Sequence, residues 1–134
     1  MPFAGRLLIG LPFILFGLGK ATTFGATVAM IDAAGLPLPP LAATGTVALE
    51  IVGGVPLVAG YKVRSTAILL AIFSLMTAFY FHGNLADQNS FVHFFKNVMM
   101  TGGLLQIAAF GAGTLSIENM LSERRIHAKR LAAA

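Results

Sequence analysis

No cysteine occurs anywhere in the 134 residues, so the chain itself offers no thiolate ligand, no disulfide and no dithiol exchange. Charge is nearly as scarce. Charged residues make up 10% of the sequence and apolar residues 57%, against roughly 25% and 45–50% in an average soluble domain. The apolar residues are gathered into long runs, not scattered at core positions. This predicts a small integral membrane protein of one domain, with no separate soluble module. Signatures for redox groups are missing as well: there is no pair of deeply placed histidines for haem, and no flavin or iron–sulfur motif. The glycine pairs lack the strand–loop–helix setting of a nucleotide loop. Any redox chemistry therefore has to come with an added cofactor, substrate or partner. The net charge of +4 does not call for nucleic acid, because most basic residues flank apolar runs, where topology accounts for them.

Four apolar runs are long enough for membrane helices, which need roughly 20 residues at about 1.5 Å rise to cross about 30 Å of hydrocarbon. They cover about residues 6–24, 41–60, 65–81 and 95–117. The expected fold class is all-α, an integral membrane four-helix bundle with a short amphipathic or re-entrant helix between spans one and two. That short helix lies in TTFGATVAMIDAAGLPLPPLA, whose prolines impose an extended approach to span two. The stretch HGNLADQNSFVHF reads as an ordinary polar outer loop, and the tail NMLSERRIHAKRLAAA as a short helix with its arginines near lipid phosphate. Lys20 and the threonines after it make a poor cleavage region, so the first run is expected to be kept as a span. Arg6, Lys62, Arg64, Arg124, Arg125, Lys129 and Arg130 fall on one side, and Lys20 and Lys96 near the other boundary. The rich side is expected to be cytoplasmic, which puts both termini there.

The question of function gathers on TGTVALEIVGGVPLVAG, a lipid-like stretch carrying Glu50. By helical rise this carboxylate sits on the order of 3 Å from the membrane midplane. An ionised carboxylate is costly there, so it is expected to face protein or water. Thr46, Glu50 and Gly54 share one stripe, and Arg6, Gly10, Phe13, Gly17 and Lys20 share another on the first span. On the fourth span Gly102, Gln106, Ala109 and Gly113 form a small-residue face, with Lys96 about 80° from Gln106 and Asn97 nearly opposite it. Ser74 and Thr77 are expected to bond back to carbonyls one turn earlier. The candidate ligand-binding set is Lys20, Glu50, His82, Lys96 and Gln106, with Glu50 coupled to Lys20 or Gln106. Phe79, Phe81, Phe94 and Phe95 are expected near the mouth of an outward-facing pocket. His82, His93 and Asp87 have no spacing that fixes a metal site, so none is assigned.

The order of GRLLIGLPFILFGLGK, AAGLPLP, LEIVGGVPLVAGYKVR, FYFHG and FKNVMMTGGLLQIAAFGAG resembles the DoxX family of small bacterial membrane proteins across nearly the whole chain. The resemblance implies a four-helix membrane bundle, with the family's polar positions at Arg6, Lys20, Glu50, His82, Lys96 and Asn97. It also implies a link to membrane complexes handling oxidative stress or sulfur compounds, the family being named after a subunit of a thiosulfate:quinone oxidoreductase. Two classes of function follow. In one, the bundle is the membrane subunit of an oxidoreductase and binds a quinone or similar amphiphile: Lys20 or His82 donates to a carbonyl oxygen and Glu50 accepts or relays the proton. In the other, it is a non-enzymatic binding, transport or assembly protein for a small polar or lipid-like solute. Expected partners are membrane lipids and either a second copy of the chain or a membrane or soluble redox subunit, since glycine-rich helices leave flat exterior patches.

Overall fold

The computed structural model describes residues 1–132 and folds them into six α-helices. They are α1 (Pro2–Thr22), α2 (Phe24–Ala33), α3 (Pro39–Ala59), α4 (Val63–His82), α5 (Gln88–Phe110) and α6 (Ile117–Ala132). Of these, α1, α3 and α4 are long and apolar enough to cross a membrane. The short apolar α2 lies between the first two, as the sequence suggested. The count of six exceeds a simple four-helix bundle because α2 and the tail helix α6 are elements in their own right. The last two residues of the tail fall outside the described residues.

The fourth apolar run is where sequence and structure differ most. Its helix α5 starts and stops seven residues before the expected 95–117. The early start has a local cause: the Asp87 carboxylate accepts from the Ser90 backbone N–H at 2.7 Å and caps the helix. These hydrogen bonds hold the Asp87 carboxyl below the usual carboxylate range. Half of what read as a polar outer loop is thus the first turns of α5. The early stop is set by Gly111 and Gly113, with φ of 80° and 75°, a backbone region that glycine enters without Cβ strain. The prolines also act differently from expectation. Pro39 and Pro40 form the first turn of α3, where the missing N–H has no helical partner to lose. The residues before them form turns and bends, with Leu38 in the left-handed region at φ 51°, so the expected extended approach is replaced by a tight turn into α3.

Packing follows the glycines. α1 pairs chiefly with α3, and α4 with α5. A Cβ placed on Gly54 would lie 2.7 Å from Ile14 and 2.9 Å from the Gly10 carbonyl, and one on Gly17 would lie 2.7 Å from Ile51. The backbones of α1 and α3 approach this closely only because those side chains are absent, which compensates for the lack of a hydrophobic drive between helices in lipid. Gly53, on the adjacent face of α3, receives Leu70 of α4 in the same way. Phe13, Leu57, Val63, Ala67, Leu70 and Leu104 form the buried centre.

One end of the bundle is tied by Arg6, which is fully buried. Its Nη1 donates to the carbonyls of Leu57 and Val58 at 3.2 and 3.1 Å, and its Nη2 donates to the Leu115 carbonyl. The first two carbonyls lie in the last turn of α3 and the third in the α5–α6 connection, so one guanidinium clamps three segments. The Glu118 N–H adds a bond to the Gly60 carbonyl at 3.0 Å. Arg6 is a structural clamp, and it lies at the far end of the bundle from the polar cavity.

Candidate functional site

A cavity of about 610 Å³ opens among α1 to α5, at the end where α1 and α4 finish and α3 and α5 begin. Four of the five residues singled out from the sequence line it: Lys20, Glu50, His82 and Lys96. They converge from four helices. Lys20 comes from the last turn of α1 and Glu50 from the middle of α3. His82 ends α4, and Lys96 lies more than two turns into α5.

The fifth residue, Gln106, is not there. It is exposed on the outer face of α5 and does not line the cavity. The face of α5 that packs inward carries Thr101 and Leu104, with Met100, Ile107 and Ala108 against the core. Gln106 is turned about 160° from this face's centre, reckoned from Leu104 at 100° per residue. The part of the small-residue face that lies on α5 points outward, and Gly113 falls beyond the helix against Pro2: a Cβ on Gly102 would meet nothing within 4 Å, whereas Gly103 receives Ile9 of α1. Lys96 and Gln106, which the sequence allowed on one broad face, are therefore separated. Asn97, expected to turn toward another helix or loop, lines the cavity.

At the floor of the cavity Lys20 Nζ donates to Glu50 Oε1 in an ion pair. This is the coupling expected for Glu50, with Lys20 as its partner. Glu50 is 3% exposed, and its Oε2 has no protein partner. The small residues around it explain why a carboxylate fits, since Gly17 lets α1 approach to where the Glu50 Cβ would be 3.1 Å from a Cβ at that position.

Ser74 is the residue that sequence reasoning missed. It is 1% exposed, lines the cavity and leaves its Oγ without a protein partner. The expected back-bond is absent among the described residues; the Thr101 hydroxyl of α5, which donates to its own Asn97 carbonyl at 2.9 Å, lies 3.4 Å from the Ala71 carbonyl beside it. Thr77 does behave as expected and donates to the Ser74 carbonyl at 2.9 Å.

Nearer the mouth, the His82 and His93 rings stack with centroids 5.0 Å apart and planes at 26°. Lys96 Nζ lies 3.0 Å from His93 Nδ1 and 5.6 Å from the centre of the Phe16 ring. Among the described residues no carboxylate pairs with any of these three groups, and no cluster is placed to hold a metal ion. The aromatic walls also differ from expectation. Phe81 lines the cavity, but its companions are Phe13, Phe16 and Phe73. Phe79, Phe94 and Phe95 pack edge to face with one another outside it, at 5.3 and 5.4 Å.

The first 83 residues match the family described as DoxX, a segment that includes Lys20, Glu50, Ser74 and His82 and ends before α5. Over 121 residues the chain is 36% identical to the inner membrane protein YqjF of Escherichia coli K12, covering 89% of this chain and 90% of that one. It is 33% identical to the inner membrane protein YphA of the same organism, over 84% of each chain. A more distant similarity, 28% identity, links it to the ER-derived vesicles protein ERV29 of Saccharomyces cerevisiae, of which it covers 32%. No solved structure matches.

Proposed function

The chain belongs to the DoxX family of small multi-pass membrane proteins, and from that premise we propose that it is the membrane subunit of an oxidoreductase system, holding a quinone or similar amphiphile in its outer-leaflet cavity. One observation carries the reading: a part-buried Lys20–Glu50 pair with an unpartnered carboxylate oxygen forms the floor of a cavity whose walls include Phe13, Phe73, Ile31 and Met100. A few fixed polar atoms inside apolar walls orient a ligand whose head is polar and whose body is lipid-like. Its volume, about 610 Å³, falls within the roughly 300–1,000 Å³ of small-molecule sites. Ion-handling chemistry deep in a membrane bundle also fits a group that accepts or relays a proton at Glu50.

The membrane placement belongs to the same proposal. α5 supplies the fourth crossing: its 23 residues are long enough to span, and several of the polar residues that lower its apolarity, His93, Lys96 and Asn97, face the cavity instead of lipid. Both termini then lie on the side rich in Arg and Lys, the cytoplasmic face of a bacterial inner membrane, as the names of the Escherichia coli relatives suggest. A fluorescent-protein fusion at the C-terminus is expected to fluoresce and an alkaline phosphatase fusion there to stay inactive. Activity of the phosphatase fusion would invert the topology and turn the cavity toward the cytoplasm.

The expected ligand result is saturable binding of a short-chain benzoquinone, in its oxidised or its reduced form, to the protein in lipid nanodiscs. Thr46 lines the cavity one turn outward of Glu50, so Thr46→Phe is expected to abolish that binding while leaving the melting temperature nearly unchanged. Absence of saturable binding by both forms overturns the quinone reading. A second reading has its own observation: the three basic groups at the mouth, without a carboxylate partner, suit the acidic head of a small solute or lipid. On that reading the chain is a binding, transport or assembly protein.

A further inference from the structure

Among the described residues, three buried side-chain atoms lack a hydrogen-bond partner: Arg6 Nε, Glu50 Oε2 and Ser74 Oγ. The first belongs to the clamp at the opposite end. The other two line the same cavity. A buried polar atom without a partner is costly, so two residues that carry such atoms and line one cavity describe what a ligand must supply.

The chemistry of the two atoms differs. Lys20 already donates to Glu50 Oε1 in an ion pair, and a carboxylate in such a pair accepts and does not donate. Oε2 thus calls for a donor. A carbonyl oxygen brought to it would set lone pair against lone pair in apolar surroundings, where such opposition is felt strongly. Ser74 Oγ can donate or accept, and among the described residues it does neither. A ligand hydroxyl donates to Glu50 Oε2, and Ser74 can give the head group a second polar contact.

We infer that the cavity selects a head group with a hydrogen-bond donor, a phenol-type hydroxyl, over the corresponding carbonyl or ether. This rests on the reading that the cavity holds a ring-bearing amphiphile. It adds that, for a quinone, the reduced dihydroxy form is the one held at Glu50.

Redox-inert probes separate the two ideas. Para-heptylphenol and its methyl ether differ only in the donor, and their binding to the full chain in lipid nanodiscs is read against protein-free nanodiscs. The phenol is expected to bind about tenfold more tightly than the ether, the advantage of one charge-assisted hydrogen bond. In Glu50→Gln, Lys20 retains the amide oxygen, so an NH₂ donor replaces Oε2 and the preference falls to parity or reverses. Ser74→Ala is expected to weaken the phenol a few-fold and leave the ether unchanged. It serves as the readout should Glu50→Gln fail to fold. Equal affinity of phenol and ether for the unaltered protein, or a preference untouched by both substitutions, overturns the donor selectivity while the cavity reading stands. Absence of saturable binding by either probe removes the ring-bearing amphiphile and this inference with it.

Discussion

Arg6→Met is expected to lower the melting temperature in mild detergent by on the order of 10 °C, for a loss of about 3 kcal/mol. Methionine keeps most of the side-chain length and the apolar stem but removes every donor. The Leu57, Val58 and Leu115 carbonyls then lose a charged partner together. Two of them end α3, where helical partners run out. No other side chain can step in, because the space is closed: a Cβ on Gly60 would collide with Arg6 itself and lie 2.5 Å from the Ser116 Cβ. Arg6→Lys should recover only part of the loss, since a single ammonium cannot reproduce the guanidinium fork. Ligand binding to whatever remains folded is expected to be unchanged, because Arg6 does not line the cavity. A melting temperature within a degree or two of the unaltered protein would return Arg6 to the role of a topological charge.

That role is the one its sequence position suggested, and the difference shows what a membrane sequence hides. In water, apolar residues mark the inside of a helix; in lipid both sides are apolar, and only small and polar residues carry directional information. Where those residues lay on one stripe, the inward face was legible. Gly10, Gly17, Glu50 and Gly54 pack as their places on the two stripes imply, and Glu50 meets Lys20. On α5 two stripes compete. Gly102, Gln106 and Ala109 look like a packing face, but Leu104 and Thr101 hold the interior and Gln106 faces outward. Adjacent glycines differ by about 100° around a helix, and only the partner helix decides between them: Gly103 meets Ile9. Ser74 was hidden for a related reason. Serine in an apolar helix normally bonds to the preceding turn, and that its hydroxyl stays unbonded and lines a cavity depends on how the helices pack around it. The helix boundaries at Asp87 and Gly111 were written in the sequence as an N-cap and a left-handed glycine, but the continuous apolar run between Phe95 and Ile117 masked them.

Lys20→Met is expected to produce the other large effect, and a double substitution distinguishes its structural part from its functional part. Removing the ammonium strands the Glu50 carboxylate at mid-depth with neither oxygen paired, since Oε2 has no protein partner to begin with. Breaking a buried pair from one side costs about 3–5 kcal/mol in well-enclosed sites. The Lys20 side chain is 27% exposed, so solvent at the cavity mouth screens part of this and about 2 kcal/mol is the expected loss. Glu50→Leu alone frees the lysine to turn toward the outer surface, because a long aliphatic stem can carry its charge to water. It is therefore expected to cost less than Lys20→Met, and this asymmetry is the signature of a carboxylate fixed by α3 and a lysine that follows it. Combining the two, Lys20→Met with Glu50→Leu, removes both charges and is expected to restore most of the stability, as apolar replacements of buried pairs commonly do. The restored protein should still fail to bind a phenolic or quinone-type probe, because the floor of the cavity no longer has a polar atom on α3. Thermal melting and probe binding measured on the same four proteins check both halves. Stability and binding recovered together in the double variant would make the pair a packing device and move the ligand contact to Ser74 and the His82, His93 and Lys96 cluster. Stability recovered without binding means that the bundle can fold without this ion pair and retains it for the ligand.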